Sequence, residues 1–234
     1  MDVTVPRYDG IVFDKDGTLF DFHATWAAWV RAVLENETGG DQHRLGQLAD
    51  VLGFDLDGNR FRKTSIVIAS TAREIAQAAL PYTDAPSVDA LLARMNALAE
   101  GAPQVAAATL APLLDRLRGA GLSLGVATND AEAPARAHLR AEGVEARFDF
   151  IAGFDSGFGG KPDAGQLLAF CAATGALPDR CIMVGDSTHD LDAGRAAGMT
   201  CVAVLTGVAD RHDLAPHADV VLASVADLPD WLGL

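Results

Sequence analysis

What most constrains the fold of this chain is a recurring pair of features: a short, unbroken apolar run, then a polar or glycine-bearing loop that leads into a helix-like stretch. The runs fall at residues 11–13, 122–127, 150–153, 181–184 and 201–205. A strand that is apolar at every position, rather than at every second one, is covered by helices on both faces. Strands alternating with helices build a parallel sheet. The expectation is an α/β fold, a doubly wound parallel sheet with a Rossmann-like core, to which residues 220–223 can add an edge strand.

Between residues 21 and 108 this rhythm is lost, and the stretch reads as successive helices. Trp26, Trp29, Val30 and Val33 share one helical face, and further apolar groups follow at Leu45, Leu48 and Leu52, at residues 66–79 and at residues 88–98. Pro81, Pro86 and Pro103 punctuate them. The predicted organisation is a core of residues 1–20 and 109–234, with residues 21–108 inserted as an α-helical cap. The alanine-rich residues 105–110 fit a hinge or a helix start.

Four of the apolar runs end in loops with chemistry. The first closes on Phe13-Asp14-Lys15-Asp16-Gly17-Thr18-Leu19, which puts two carboxylates where open α/β sheets bind ligands, with Gly17 permitting the sharp turn. A calcium loop counted from Asp14 needs Gly and Glu where Leu19 and Thr25 stand, so that reading fails. The second loop holds Thr128, Asn129 and Asp130 at a strand-to-helix junction. The first two are ordinary capping residues and equally able to hold a phosphate oxygen. The third, residues 157–163, sets Lys161 in a glycine-rich turn before Pro162, although a lysine there can also be merely solvated. The fourth carries Asp186 just past a strand and Asp190 four residues on, facing the same side if a helical turn follows. Carboxylates clustered at one sheet edge repel each other unless a cation is present, and this donor chemistry suits Mg²⁺.

The acidic balance, 32 Asp and Glu against 18 Lys and Arg, gives a formal charge of −14. It disfavours nucleic acid and anionic membranes as partners, and requires any phosphate site to be made locally positive. No apolar stretch approaches the ~18 residues of a membrane span, and MDVTVPRYDG lacks a signal pattern, so a cytoplasmic protein is expected. Cys171, Cys181 and Cys201 lack metal-ligand spacing and read as buried reduced thiols.

Taken in order, the four loops resemble the haloacid dehalogenase superfamily, whose pattern is Asp-x-Asp-Gly-Thr, then Ser/Thr, then Lys, then Gly-Asp-x-x-x-Asp, with a cap inserted after the first motif. The resemblance implies an Mg²⁺-dependent phosphatase. In it Asp14 attacks phosphorus and Asp16 acts as acid and then base. Thr128, Asn129 and Lys161 hold the phosphoryl oxygens. Asp14, Asp186 and the Asp16 carbonyl hold the metal, while Asp190 orients the metal shell or Lys161. Dehalogenase members lack the second acid, so Asp16 argues for phosphate chemistry. Lys15 departs from the family's usual apolar or aromatic residue, and strand alternation predicts that it points away from the site. Two readings stand for His189, contact with water or substrate and a solvent-exposed loop histidine, and the second is preferred.

The expected partner is a small phosphorylated metabolite acted on by a monomer or homodimer. Because the cap would choose it, the basic cluster Arg60, Arg62 and Lys63 suggests a second anionic group, as in phosphoglycolate, with Arg62 and Lys63 as substrate-binding residues; a solvated basic loop is the other reading. Within the family a sugar-phosphate mutase and a phosphonoacetaldehyde hydrolase using Lys63 as a Schiff base remain open. From a different class, so does a catalytically silent phosphate-binding regulatory protein.

Overall fold

The computed structural model describes residues 8–68 and 70–234. In chain order the elements are β1 (Gly10–Phe13), α1 (Phe22–Thr38), α2 (Gln42–Val51), β2 (Phe54–Asp55), β3 (Arg60–Phe61), α3 (Ala72–Ala79), α4 (Val88–Glu100), α5 (Leu110–Gly119), β4 (Ser123–Ala127), α6 (Glu132–Ala141), β5 (Phe150–Ala152), α7 (Gly165–Thr174), β6 (Cys181–Gly185), α8 (Thr188–Ala197), β7 (Thr200–Val204), α9 (Arg211–Leu214), β8 (Val220–Leu222) and α10 (Leu228–Trp231).

Six strands form one parallel sheet in the order β5-β4-β1-β6-β7-β8. The apolar runs supply all six, including the edge strand β8. Strand alternation sends Ile11 and Phe13 to one face, where they pack with Leu114 and Leu117 of α5 and Leu139 of α6. Val12 goes to the other face, among Leu167 and Phe170 of α7 and Ala193 of α8. Covered on both sides, β1 is wholly buried, as its continuous hydrophobicity requires. From β1 the chain winds outward through β4 to β5, then returns to β6 on the other side and continues to β7 and β8. The direction therefore reverses between β1 and β6, and the crevice beyond their carboxyl ends is where such sheets bind ligands.

Residues 22–99 build a separate hydrophobic cluster, with Trp26, Trp29, Val30, Val33, Leu48, Leu52, Leu91 and Met95 at its centre. It sits over the crevice, joined to the sheet by two antiparallel chain segments: Asp21 N donates to Val105 O at 2.8 Å and Ala107 N to Leu19 O at 2.9 Å. Residues 105–107 are thus a paired crossing, and the helix that follows starts at Leu110.

Two local expectations are corrected. The inserted region is not purely helical, because β2 and β3 form a small antiparallel hairpin. Its turn is set by Asn59 at φ 49° and by Asp55 Oδ1, which accepts from Gly58 N at 3.1 Å. The helix expected over residues 66–79 begins only at Ala72. Ser65 Oγ accepts from Val67 N at 3.2 Å, and Thr71 caps the helix in a reciprocal capping box with Glu74. Local side-chain acceptors outcompete the helix ladder there.

The three cysteines are buried free thiols. Among the described residues no helix is long and apolar enough to cross a membrane. The reading of the N-terminus as lacking a signal falls mainly on residues 1–7, outside the described residues.

Candidate active site

The carboxyl ends of β1, β4 and β6 and the loop before α7 meet in one cleft, lined by Asp14, Asp16, Thr128, Asn129, Lys161, Asp186 and Asp190. Lys161 joins the segments: its Nζ lies 2.6 Å from Asp14 Oδ1 and 2.6 Å from Asp190 Oδ1. Burial opposes its charge, but the flanking carboxylates outweigh burial and raise the lysine above its usual range.

Asn129 sets where that lysine stands. Its Oδ1 accepts from the Lys161 backbone N at 2.8 Å, and its Nδ2 donates to Lys161 O at 2.9 Å. Thr128, buried beside it, accepts from Asp130 N at 3.1 Å through Oγ1. Asp190 closes a capping box on α8, where its Oδ2 accepts from Ser187 N at 3.0 Å and Ser187 Oγ at 2.7 Å. One Asp190 oxygen therefore fixes the helix start while the other holds Lys161.

Asp14, Asp186 and Asp190 each bring an oxygen within 4.8 Å of the other two, all three side chains buried. Burial, only partly countered by Lys161 and reinforced by Asp190 and Asp16, pushes Asp14 up to about 7. Burial, then Asp14 and Asp190, drives Asp186 well above the carboxylate range. One lysine does not neutralise three buried carboxylates, whereas a hard divalent cation would. The backbone leaves room beside Asp186 for such an arrangement. A Cβ on Gly17, whose φ is +87°, would lie 2.3 Å from Asp186 Oδ2, and one on Gly207 would lie 1.6 Å from it. Thr18 Oγ1 also donates to Asp186 Oδ1 at 3.4 Å. Oxygen donors, excess negative charge and glycine-cleared space together fit Mg²⁺.

Three sequence expectations are corrected by placement. Lys15 does not point away: it is fully buried, with its Nζ 2.6 Å from Asp16 Oδ1, 3.6 Å from Asp130 Oδ2 and 3.1 Å from His138 Nδ1. Alternation misled because β1 ends at Phe13, so Lys15 belongs to the turn. There its carbonyl accepts from Leu19 N and Phe20 N, both at 3.0 Å. Arg62 and Lys63 are not brought to the cleft. Arg62 donates to Asp50 at 2.8 Å and Lys63 to Asp210 at 3.0 Å, and both line a separate surface depression with Asp55, Arg60 and Phe61. Exposed cations next to exposed carboxylates simply pair with them. His189 is not a free loop residue, since it lies half-buried in the first turn of α8 and lines the cleft.

Sequence reasoning missed His138 and gave Asp130 of the second loop no role; both face Lys15 beside Asp16. Burial, and then the Lys15 charge, pushes His138 down to about 4, and its Nε2 sits 2.6 Å from Ala99 O at the end of α4. Burial, offset by Lys15, pushes Asp130 up to about 6. The only available signal was a lysine set between two acids, which needs buried partners if it turns inward.

A doubly wound sheet whose switch point carries a buried carboxylate–lysine cluster under a helical insertion defines a capped α/β hydrolase. Within that class the chain belongs to the haloacid dehalogenase-like hydrolases, whose family model matches residues 8–198. It is 36% identical over 155 residues to the phosphoglycolate phosphatase of Rhodospirillum rubrum, covering 64% of this chain and 64% of that one, just under two thirds of that relative. To the phosphoglycolate phosphatase of Xanthomonas campestris pv. campestris it is 31% identical over 218 residues, 91% of this chain and 90% of the other. The crystal structure of a predicted phosphoglycolate phosphatase from Haemophilus somnus 129PT has the same fold, with a TM-score of 0.75 at 20% identity, over 96% of this chain and 98% of that one.

Proposed function

We propose that the protein is an Mg²⁺-dependent phosphatase that hydrolyses a small organic phosphate monoester through a phosphorylated Asp14. The observation that carries the reading is Lys161, whose single ammonium bridges Asp14 of the first loop and Asp190 of the last at 2.6 Å each, beside Asp186. A carboxylate held by a buried lysine, at the open edge of a sheet, is oriented for attack on a bound phosphate.

An Asp14 oxygen forms a bond to phosphorus while the bond from phosphorus to the ester oxygen breaks, and Asp16 gives that leaving oxygen its proton. Water then attacks phosphorus, Asp16 takes the water's proton, and the bond from Asp14 to phosphorus breaks to release phosphate and restore the carboxylate. Thr128, Asn129 and Lys161 hold the phosphoryl oxygens, with Asn129 acting in part through its clamp on the Lys161 backbone. Asp14 and Asp186 would hold Mg²⁺, with Asp190 beside them. When bound it supplies charge neutralisation between those carboxylates and the incoming phosphate. Residues 21–108 form the cap that keeps bulk water from the cleft, within a cytoplasmic protein.

The name of the relatives makes phosphoglycolate the reference substrate. The phosphonate reading loses its support, because Lys63 is paired with Asp210 and Asp213 away from the cleft. A silent binding protein has no use for a second acid, Asp16, beside Asp14. The test is release of inorganic phosphate from p-nitrophenyl phosphate and phosphoglycolate with Mg²⁺ or with chelator, using Asp14→Asn as control. Turnover that ignores both the metal and Asp14 defeats the reading.

A further inference from the structure

The part of the cleft that faces away from Asp14 is mostly carbon, with Ser70, Asn96 and Trp26 Nε1, unpartnered among the described residues, as its polar groups. Its wall is built from Trp26 and Trp29 of α1, Val67, Ile75 of α3 and Met95 of α4. Trp29 turns its one polar atom away from any ligand, since its Nε1 donates to Met95 O at 3.0 Å. Trp26 packs edge-on against it, with ring centroids 5.0 Å apart at 87°. Residues 21–108 contain seven Lys and Arg side chains, none of which lines this cleft. Each is held elsewhere: Arg31 by Asn59, Arg44 by Asp84, Arg60 by Asp55, and Arg73 by Asp89, with Arg94 on Glu37 and the Arg62 and Lys63 pairs described above. Among the described residues Lys161 is the one lysine or arginine lining the cleft, and it is already shared between Asp14 and Asp190, while the Lys15 ammonium behind the wall, 5.4 Å from the Trp26 ring centroid, is held by Asp16.

A second anionic group on a substrate would therefore lose its water against tryptophan, isoleucine and methionine with no cation to receive it. Buried charge without a partner is strongly disfavoured, whereas apolar surface transferred to such a wall is stabilised in proportion to its area. We propose that the natural substrate is the phosphate monoester of an uncharged, largely apolar alcohol or phenol, whose alkyl or aryl portion packs against Trp26, Trp29, Ile75 and Met95. This deepens the phosphatase reading and rests on it. It also sets this chain apart in substrate from the relatives whose name specifies a carboxylate-bearing phosphate. Discrimination comes from the wall on one side and from the missing cation on the other.

The experiment compares kcat/KM for straight-chain alkyl phosphates from ethyl to hexyl, phenyl phosphate and phosphoglycolate, all with Mg²⁺, in the unaltered protein, Asp14→Asn and Ile75→Ala. The expected result is a rise of about threefold per added methylene, placing hexyl phosphate about 80-fold above ethyl phosphate, with phosphoglycolate at the bottom of the series. Ile75→Ala lowers the hexyl-to-ethyl ratio about fivefold. Because that ratio is read within one preparation, a partly unfolded variant does not distort it. Should Ile75→Ala give no soluble protein, Asn96→Arg, which adds a cation at the half-buried rim, raises phosphoglycolate relative to hexyl phosphate instead. A flat series, or phosphoglycolate ahead of the alkyl esters, overturns the apolar substrate and leaves the phosphatase intact. Absence of any turnover that depends on both Asp14 and Mg²⁺ overturns the phosphatase reading, and this inference falls with it.

Discussion

Replacing Asp14, the proposed nucleophile, should make the metal-free protein more stable while destroying its turnover. Asp14 is a buried carboxylate raised from 3.8 to about 7, chiefly by burial, against the opposing pull of Lys161 and with the push of Asp190 and Asp16. A shift of roughly three pKa units at about 1.4 kcal/mol each means that ionised Asp14 costs the folded state on the order of 4 kcal/mol. Protonation of the neighbouring Asp186 would relieve part of that cost, so a gain of about 2 kcal/mol is expected when Asn removes the charge. The sign follows from proton binding. Between pH 3.8 and about 7 the folded chain holds a proton that the unfolded chain has lost, so this group's contribution to stability declines as pH rises through that window. Asp14→Asn should therefore match the unaltered protein near pH 4 and exceed it at pH 8. Urea unfolding in chelator at both pH values measures the difference, and turnover with Mg²⁺ should fall at least about 10³-fold. Saturating Mg²⁺ should stabilise the unaltered protein, by about 2.7 kcal/mol at 100 times Kd, and the variant much less. A variant less stable than its parent at pH 8 without metal, or a gain that does not vary with pH, would refute the view that like charges are held together there.

Three further outcomes follow from the same geometry. Lys15→Met strips the partner from the half-buried Asp16 and the buried Asp130 carboxylates and should destabilise the fold by about 3 kcal/mol in urea titration; an unchanged midpoint would mean that the ammonium does not compensate them. His138 is held down at about 4, so between pH 6.5 and 4 the unfolded chain takes up the proton first, and acid removes stability through this residue. His138→Gln should flatten the decline in melting temperature over that window, and an identical slope would count against it. Gly207→Ala drives a methyl group into Asp186 and should abolish Mg²⁺ binding by titration calorimetry while the far-ultraviolet circular dichroism stays native.

The sequence alone determined the sheet and which loops meet at its edge. Continuous apolar runs can be buried only between two helical layers, which set β1, β4, β5, β6 and β7, and loops at strand ends put Asp14, Asp16, Thr128, Lys161 and Asp186 at one edge. These are local signals, carried by residues adjacent in the chain. Only the tertiary structure decided what surrounds those groups. Lys15 turned inward because the chain leaves the strand at Phe13, and it found His138 more than 120 residues away. Arg62 and Lys63, legible as a basic cluster, were captured by Asp50 and Asp210, so the cleft was left to Trp26, Trp29, Ile75 and Met95. Partner choice among charges depends on distances between segments far apart in the chain, and those distances do not exist until the layers pack.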